Sequence, residues 1–166
     1  ELEEMLATGR YPRKVDAYPD LKRQGTWGAL PLYSCLAGYR ADGCERAPKT
    51  CNLLRAASGL FLRDPRYCLN PEFERAGFLS LEPGTVIPWH SDTTGRINVH
   101  VGLRGTAGAM LYVGQEPAVP WKERGVLAFQ DSFDHRAVHL GNETRFVFFV
   151  TVAHPEWAAM LDKQYP

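Results

Sequence analysis

The second half of this 166-residue sequence is divided into short β-forming runs, and this pattern limits the possible folds more than any other feature. From about position 77 the runs recur every 8–15 residues, separated by Gly, Pro, Asn and Asp. Strands are predicted at 77–81, 86–90, 96–103, 109–113, 126–129, 136–140 and 145–152. Short strands at this spacing are typical of a β-sandwich or jelly roll, and not of a sheet built from β-α-β units.

Two of the predicted strands have informative patterns. Residues 96–103 alternate between polar and apolar side chains, which predicts a strand with two unlike faces. Its polar face comprises Arg96, Asn98, His100 and Gly102, and its apolar face comprises Ile97, Val99, Val101 and Leu103. The run that begins at Arg145 is almost entirely apolar after that residue, so we expect a central strand that is buried on both sides.

The first 76 residues differ from this pattern. A short helix and then a polar loop are predicted within 1–27, a strand at 29–36, and a helix at 52–57 with Thr50 as its N-cap. Residues 43–51 are interpreted as a proline-containing turn, and 63–71 as irregular. No linker divides the sequence, so we expect one domain over 1–166, with a helical, cysteine-containing flank at 1–60 and a β core at 77–154.

Composition argues against several classes of protein. The 19 Lys and Arg residues balance the 19 Asp and Glu residues without a basic cluster, which argues against a nucleic-acid-binding protein. No apolar run approaches the length of about 20 residues that spans a bilayer, so we expect no membrane contact from this fragment. A start at Glu1 instead of Met favours a fragment or a processed form.

The four cysteines, at positions 35, 44, 51 and 68, all lie in the first half of the sequence. Neither a C-x-x-C motif nor a His-rich tract accompanies them, which argues against a structural zinc site. Their clustering fits one or two disulfides formed in an oxidising compartment, and four reduced thiols are the alternative.

His90, Asp92 and the distant His135 form a candidate metal-binding set. His90 and Asp92 share one face of an extended segment, because side chains repeat every two residues along a strand. Two histidines and one carboxylate bind one face of an octahedral Fe(II) and leave the other face open for substrate and oxygen. The alternative is a surface turn at 91–95 with an unrelated histidine further along the chain.

Arg145 and His100 are candidates for binding an organic acid. An arginine beside a core needs a partner, and a guanidinium suits a carboxylate such as the distal one of 2-oxoglutarate. The alternative is an arginine at the rim of its strand, paired with Glu143 or Asp131. His100 could help to hold the cosubstrate or the target, and the alternative is a hydrogen-bonded core histidine.

Several short blocks occur in a fixed order between about residues 25 and 157. They are E-P-G-T at 82–85, P-W-H at 88–90, the run 96–103, W-K-E-R-G at 121–125, F-Q-D-S-F-D-H at 129–135, Arg145, H-P-E at 154–156 and, upstream, C-E-R-A-P-K-T-C-N-L-L at 44–54. This ordered set resembles the aspartyl/asparaginyl β-hydroxylase family of Fe(II)- and 2-oxoglutarate-dependent dioxygenases.

The resemblance implies a mainly β fold, namely a double-stranded β-helix of the jelly-roll or cupin-like type with a few flanking helices. It implies that His90 and His135 bind Fe(II), that Arg145 binds the 2-oxoglutarate carboxylate, and that His100 also contacts this cosubstrate. It further implies a disulfide between Cys44 and Cys51. That pairing and the animal-type segment around it suggest the lumen of the endoplasmic reticulum, if the chain is part of a longer membrane-anchored eukaryotic protein.

The sequence departs from the family pattern at two positions of the candidate site. Asp92 stands where the animal peptide hydroxylases have Gly, so we predict that Asp92 coordinates the iron directly or through water. The family often has Arg-x-Arg-x-His, whereas here Arg96 and His100 flank Asn98. Arg96 and Asn98 remain candidates for cosubstrate binding, but carboxylate recognition depends more on Arg145. Residues 60–75 form a longer segment than in the animal enzymes, and we expect it to shape the substrate entrance.

The expected activity is hydroxylation of the β-carbon of Asp or Asn in a protein or peptide, for example in an EGF-like domain, with 2-oxoglutarate and O2 as cosubstrates. One alternative is the same mechanism acting on a lipid or small molecule, and another is a non-catalytic jelly-roll binding module. Residues 142–144, Asn-Glu-Thr, form an N-glycosylation sequon whose use the sequence leaves open.

Overall fold

The computed structural model describes residues 1–11, 24–57, 59–61, 68, 73–92 and 95–164. The helices within these residues are α1 (Leu2–Ala7), α2 (Ala41–Arg46), α3 (Pro48–Ala56) and α4 (Pro155–Gln164). The strands are β1 (Trp27–Ser34), β2 (Gly38–Tyr39), β3 (Arg75–Leu81), β4 (Val86–His90), β5 (Arg96–Arg104), β6 (Ala109–Val113), β7 (Val119–Pro120), β8 (Val126–Gln130), β9 (His135–His139) and β10 (Arg145–Ala153).

Among the described residues, the strands form two antiparallel sheets. The larger sheet has the order β2-β1-β3-β10-β5-β8, and the smaller sheet has the order β4-β9-β6-β7. Side chains from both sheets meet in one hydrophobic cluster, which includes Leu79, Ile87, Leu111 and Phe149. Two antiparallel sheets packed in this way, with few helices, confirm the predicted double-stranded β-helix.

The predicted strands of the second half are confirmed. The predictions at 86–90 and 109–113 match β4 and β6 to the residue, and the other predicted strands differ at their ends by one or two residues. The strand predicted at 29–36 is β1, which pairs with β3 and extends the larger sheet. The sequence patterns missed β2, β7, α2 and α4. The irregular segment predicted at 63–71 lies almost wholly outside the described residues, as does most of the segment 60–75.

The predicted helix start was wrong. The segment 43–51, interpreted as a turn, is largely helical, and α3 begins at Pro48 with Ala47 as its N-cap. Proline suits the first turn of a helix because its φ is already helical and its missing N–H needs no partner there. The side chain of Glu1 accepts hydrogen bonds from the backbone N–H groups of Lys49 and Thr50, at 2.8 Å each. A distant carboxylate therefore satisfies the free N–H groups of α3 that Thr50 was predicted to cap.

A second hydrophobic cluster lies between the larger sheet and the N-terminal helices. Leu2 and Met5 of α1 and Leu54 of α3 pack there against Phe78 and Phe146 of the sheet. The larger sheet thus contributes to two cores, one on each face. β10 lies between β3 and β5 in this sheet, which confirms the predicted central strand.

The two faces of β5 are oriented opposite to the usual rule for an amphipathic strand. Its polar residues Arg96, Asn98 and His100 are buried between the sheets, at 5%, 8% and 9% exposure. Its apolar residues, by contrast, are only partly buried. The polar face of β5 therefore lines the interior of the β-helix, where a candidate site has to be sought.

All four cysteines are paired. Disulfides join Cys44 to Cys51 and Cys35 to Cys68. The first bridge links α2 to α3, as the family resemblance implied, and the second ties the end of β1 to Cys68. None of the helices in the described ranges is long and apolar enough to cross a membrane.

Candidate metal and cosubstrate site

His90 and His135 come together at the ends of two neighbouring strands. His90 is the last residue of β4 and His135 is the first residue of β9, and the two are partners in the antiparallel pairing. A register shift between Ile87 and His90 precedes this pair. The centres of the two imidazole rings lie 4.2 Å apart, and His135 is only 5% exposed.

Local backbone contacts orient both imidazoles in the same manner. The Nδ1 atom of His90 lies 2.9 Å from the carbonyl oxygen of Pro88, and Nδ1 of His135 lies 2.8 Å from that of Phe133. A carbonyl oxygen can only accept a hydrogen bond, so each Nδ1 carries a proton, and in the neutral form of either imidazole Nε2 presents a lone pair. Burial also lowers the pKa of His135, which favours its neutral form. A neutral imidazole with Nδ1–H on a carbonyl is the usual form of a metal-binding histidine.

A network of charged and polar side chains lies beside the two histidines. Arg96 donates from Nε to Asp131 at 2.6 Å and from Nη2 to Asp92 at 2.8 Å. Asn98 donates to Oδ1 of Asp131 and accepts a hydrogen bond from the hydroxyl of Thr151. Asp131 Oδ1 also lies 3.5 Å from Nε2 of His135. The predicted cosubstrate residues Arg96 and Asn98 thus both contact Asp131.

Asp92 lies at the more exposed side of this network. Its side chain is 35% exposed, and its Oδ2 atom forms an ion pair with Nη2 of Arg96. The part of the chain that the structure describes contains no group of three His, Cys, Asp or Glu residues placed to hold a metal ion. The structure therefore brings together His90 and His135 of the predicted set, and it places Asp92 on Arg96 in the lining of the same cavity.

Arg145 is the most unusual side chain of the interior. It is 2% exposed, and neither its Nε nor its Nη1 atom has a hydrogen-bond partner among the described residues. Its guanidinium lies over the ring of Trp121, with Cζ 4.4 Å from the ring centre. Burial lowers the pKa of Arg145 to about 9. The alternative in which Arg145 pairs with Asp131 is wrong, because Arg96 and Asn98 take that carboxylate.

His100 lies in the same interior and shares an aromatic neighbour with Arg145, namely Trp121, and another with His135, namely Phe129. Its ring stacks near Trp121 at 5.9 Å and meets the edge of Phe129 at 5.6 Å. Burial, together with the charges of Arg145 and Arg75, lowers the pKa of His100 to about 3. Its Nδ1 atom has no hydrogen-bond partner within the described part of the chain. His100 is thus a neutral imidazole with a polar atom to offer to a ligand.

These side chains line one cavity of about 370 Å³ between the sheets. Its polar lining includes both histidines, Asp92, Asp131, His100 and Arg145, and its apolar lining includes Leu79, Ile87 and Phe149. Two imidazole lone pairs fit a divalent metal ion, and a buried guanidinium without a carboxylate partner fits an organic acid. The residues present are therefore suited to both groups that the sequence predicted.

A family model described as "Aspartyl/Asparaginyl beta-hydroxylase" matches residues 1–155. The chain belongs to the aspartyl/asparaginyl β-hydroxylase family.

Two groups of curated members of this family show the similarity directly. The human "Aspartate beta-hydroxylase domain-containing protein 2" is 40% identical over 121 residues, which cover 70% of this chain and 30% of that protein. The human "Aspartyl/asparaginyl beta-hydroxylase" is 29% identical over 150 residues, which cover 89% of this chain and 18% of that protein. The chain thus spans about a third or less of the length of these relatives.

Among solved structures, the Schizosaccharomyces pombe Cnp3 cupin domain is similar to 57% of this chain and 64% of that chain. The TM-score is 0.46, at 15% sequence identity.

The sequence patterns missed two residues of this β-hydroxylase family site. The sequence indicates Asp131 only as a possible partner of Arg145, yet in the structure it contacts Arg96, Asn98 and His135. Its place in the block F-Q-D-S-F-D-H, four residues before His135, was the available signal. Trp121 stands at the start of a family block in the sequence, and in the structure its ring lies under the guanidinium of Arg145.

Proposed function

We propose that this chain is the catalytic domain of an Fe(II)- and 2-oxoglutarate-dependent hydroxylase. One observation carries the proposal: a single cavity contains two imidazole lone pairs and, within the same walls, a buried guanidinium whose Nε and Nη1 lack hydrogen-bond partners in the described chain. Such a guanidinium is costly unless an anion joins it, so the cavity is built for a carboxylate ligand. Membership of the β-hydroxylase family supports hydroxylation as the reaction.

His90 and His135 would hold the metal through Nε2, and Asp92 would complete the set directly or through water. Arg96 restricts the orientation of Asp92, a role that hydrogen-bonding partners of metal-binding carboxylates often have. When bound, Fe(II) with 2-oxoglutarate supplies the oxidation of a C–H bond by O2, with succinate and CO2 as coproducts.

Arg145 would bind the distal carboxylate of 2-oxoglutarate through its guanidinium, and His100 would contact the same cosubstrate. The neutral state of His100 suits this place, because a second buried cation beside Arg145 would be costly. Trp121, Phe129 and Phe149 surround His100 and exclude water from this part of the cavity. Exclusion of water strengthens the guanidinium–carboxylate attraction and protects the oxidant from side reactions.

The preferred substrate is the β-carbon of an Asp or Asn residue in a protein or peptide, for example in an EGF-like domain. The names of the curated relatives support this choice. A lipid or small molecule is the second candidate, because Asn98 stands where the family often has an arginine. The disulfides are consistent with the lumen of the endoplasmic reticulum as the site of action. A non-catalytic jelly-roll binding module is the remaining alternative for the function.

The test is anaerobic titration of the purified chain with Fe(II) and then 2-oxoglutarate, followed by the metal-to-ligand charge-transfer band in the visible. We expect the band in the wild type, no band in His135→Ala, and a greatly weakened band in Arg145→Ala. His154→Ala is the matched control, because His154 lies outside the lining of the cavity. No band in folded wild-type protein would favour the binding module.

Substrate class is tested by 2-oxoglutarate turnover above the uncoupled rate. Peptides that contain Asp or Asn in a disulfide-bonded loop should stimulate turnover more than lipid substrates do. Stimulation by lipids alone would contradict a peptide substrate and favour a lipid substrate.

A further inference from the structure

We propose that Asn142 is an N-glycan acceptor in the loop at the end of β9 opposite the candidate metal ligand His135. Of the four asparagines in the sequence, at 52, 70, 98 and 142, only Asn142 is followed by the pattern x-Ser/Thr. The proposal does not depend on the proposed catalytic function.

Asn142 lies in the loop 140–144 between β9 and β10, and the structure leaves it exposed. Neighbouring residues of the loop are held in place. Leu140 donates its N–H to the carbonyl of Gly108 at 2.8 Å, and the carbonyl of Glu143 lies 2.6 Å from Nε2 of His139. A side chain added at Gly141 would come within 2.1 Å of the carbonyl oxygen of Ala107. Fixed, closely packed flanks thus present the Asn142 side chain outward.

The loop is far from the candidate metal ligands. β9 begins at His135 and ends at His139, which is a rise of about 13 Å along the strand, and the loop starts beyond that end. A glycan on Asn142 would therefore be attached at the end of β9 away from His135. Arg145 follows the sequon directly, but its side chain is buried, whereas Asn142 is exposed.

An apolar side chain next to the acceptor also favours a covering group. Leu140 is 77% exposed, the largest value among the exposed large hydrophobic side chains of the described residues. A polar, bulky glycan two residues away would shield it from other molecules. Both disulfides point to the oxidising compartment in which N-glycans are added.

The modification is a group transfer from a lipid-linked oligosaccharide. The Nδ2 atom of Asn142 forms a bond to C1 of the first sugar and loses one proton. The bond between that C1 and the diphosphate of the lipid carrier breaks, and the lipid diphosphate leaves. No oxidant or reductant takes part in this transfer.

The test expresses the chain behind a cleavable signal peptide in mammalian cells, with a second sequon on a C-terminal tag that reports entry into the lumen. Wild type and Thr144→Ser should carry two glycans, whereas Asn142→Gln and Thr144→Ala should carry only the tag glycan. Peptide:N-glycosidase should reduce all four proteins to one electrophoretic mobility and convert Asn142 to Asp in the wild type. Wild type that carries the tag glycan alone would overturn the proposal.

Discussion

The guanidinium of Arg145 lies over the ring of Trp121, with Cζ 4.4 Å from the ring centre, in an interior where two of its nitrogen atoms have no hydrogen-bond partner among the described residues. A cation–π contact replaces part of the hydration that the cation loses, but it does not replace a carboxylate. The ligand-free protein therefore holds a charge that a ligand would stabilise. Arg145 should therefore lower the stability of the ligand-free protein while it increases the affinity for an organic acid.

Replacement of Arg145 by Leu should make the ligand-free protein more stable, by about 2 kcal/mol in the free energy of unfolding, because it removes a buried cation. The same change should abolish stabilisation by 2-oxoglutarate with Mn(II), a redox-stable substitute for Fe(II). Urea denaturation with and without both ligands measures the two effects. Arg104→Leu, which changes a half-exposed arginine, is the control. A less stable Arg145→Leu protein without ligand would contradict the interpretation.

Replacement of Arg96 by Ala should lower the free energy of unfolding by about 3 kcal/mol, because it leaves Asp131 buried without its cation. The matched control is Arg104→Ala, which breaks the pair with Glu3 at the surface, where the two side chains are 46% and 69% exposed. The control should cost less than about 1 kcal/mol. Equal losses in the two variants, measured by chemical denaturation, would show that the Arg96 network does not stabilise the interior.

The stability of the metal-free protein should fall in acid because of His100. Its pKa is about 3 in the folded protein, against about 6.5 in an unfolded chain. Between these values the unfolded chain binds a proton that the folded protein does not, so stability is lost as the pH falls below about 6.5. The loss is at most about 1.4 kcal/mol per pH unit from this group.

Denaturation curves over this range should show a shallower pH dependence for His100→Gln than for the wild type. His154→Gln, outside the cavity, should keep the wild-type slope. A wild-type slope in His100→Gln would indicate that other groups cause the acid sensitivity.

Removal of the Cys44–Cys51 disulfide by a double change to Ser should cost about 2.5 kcal/mol, from the lost restriction of a loop with a sequence separation of 7. Both cysteines lie in the helical flank, away from the cavity lining. The variant should therefore keep the charge-transfer band with Fe(II) and 2-oxoglutarate at temperatures where it is folded. Loss of the band in folded double variant would show that the flank also shapes the site.

Most strands could be predicted from the sequence, because period-two alternation and turn residues are local signals. The orientation of β5 could not. The alternation of Arg96, Asn98 and His100 with apolar residues defines two faces but does not say which one lies inside. The answer depends on Asp131 and Trp121, which are distant in sequence and make a polar interior tolerable.

Part of the site was likewise beyond local patterns. The pairing of His90 with His135 follows from strand register, which family blocks can suggest and periodicity cannot. The contact of Asp92 with Arg96 depends on side-chain geometry after the strand end. The start of α3 was missed because its free N–H groups are satisfied by Glu1, 48 residues away from Lys49.

The two faces of the larger sheet have different roles. The face toward the smaller sheet holds the charged and titratable groups, while the opposite face packs Phe78 and Phe146 under Leu2, Met5 and Leu54. A fragment cut down to the jelly roll at 77–154 would keep all candidate ligands and expose this second core to water. Substrate preference can therefore diverge within the cavity while the helices that cover the outer face continue to supply folding energy.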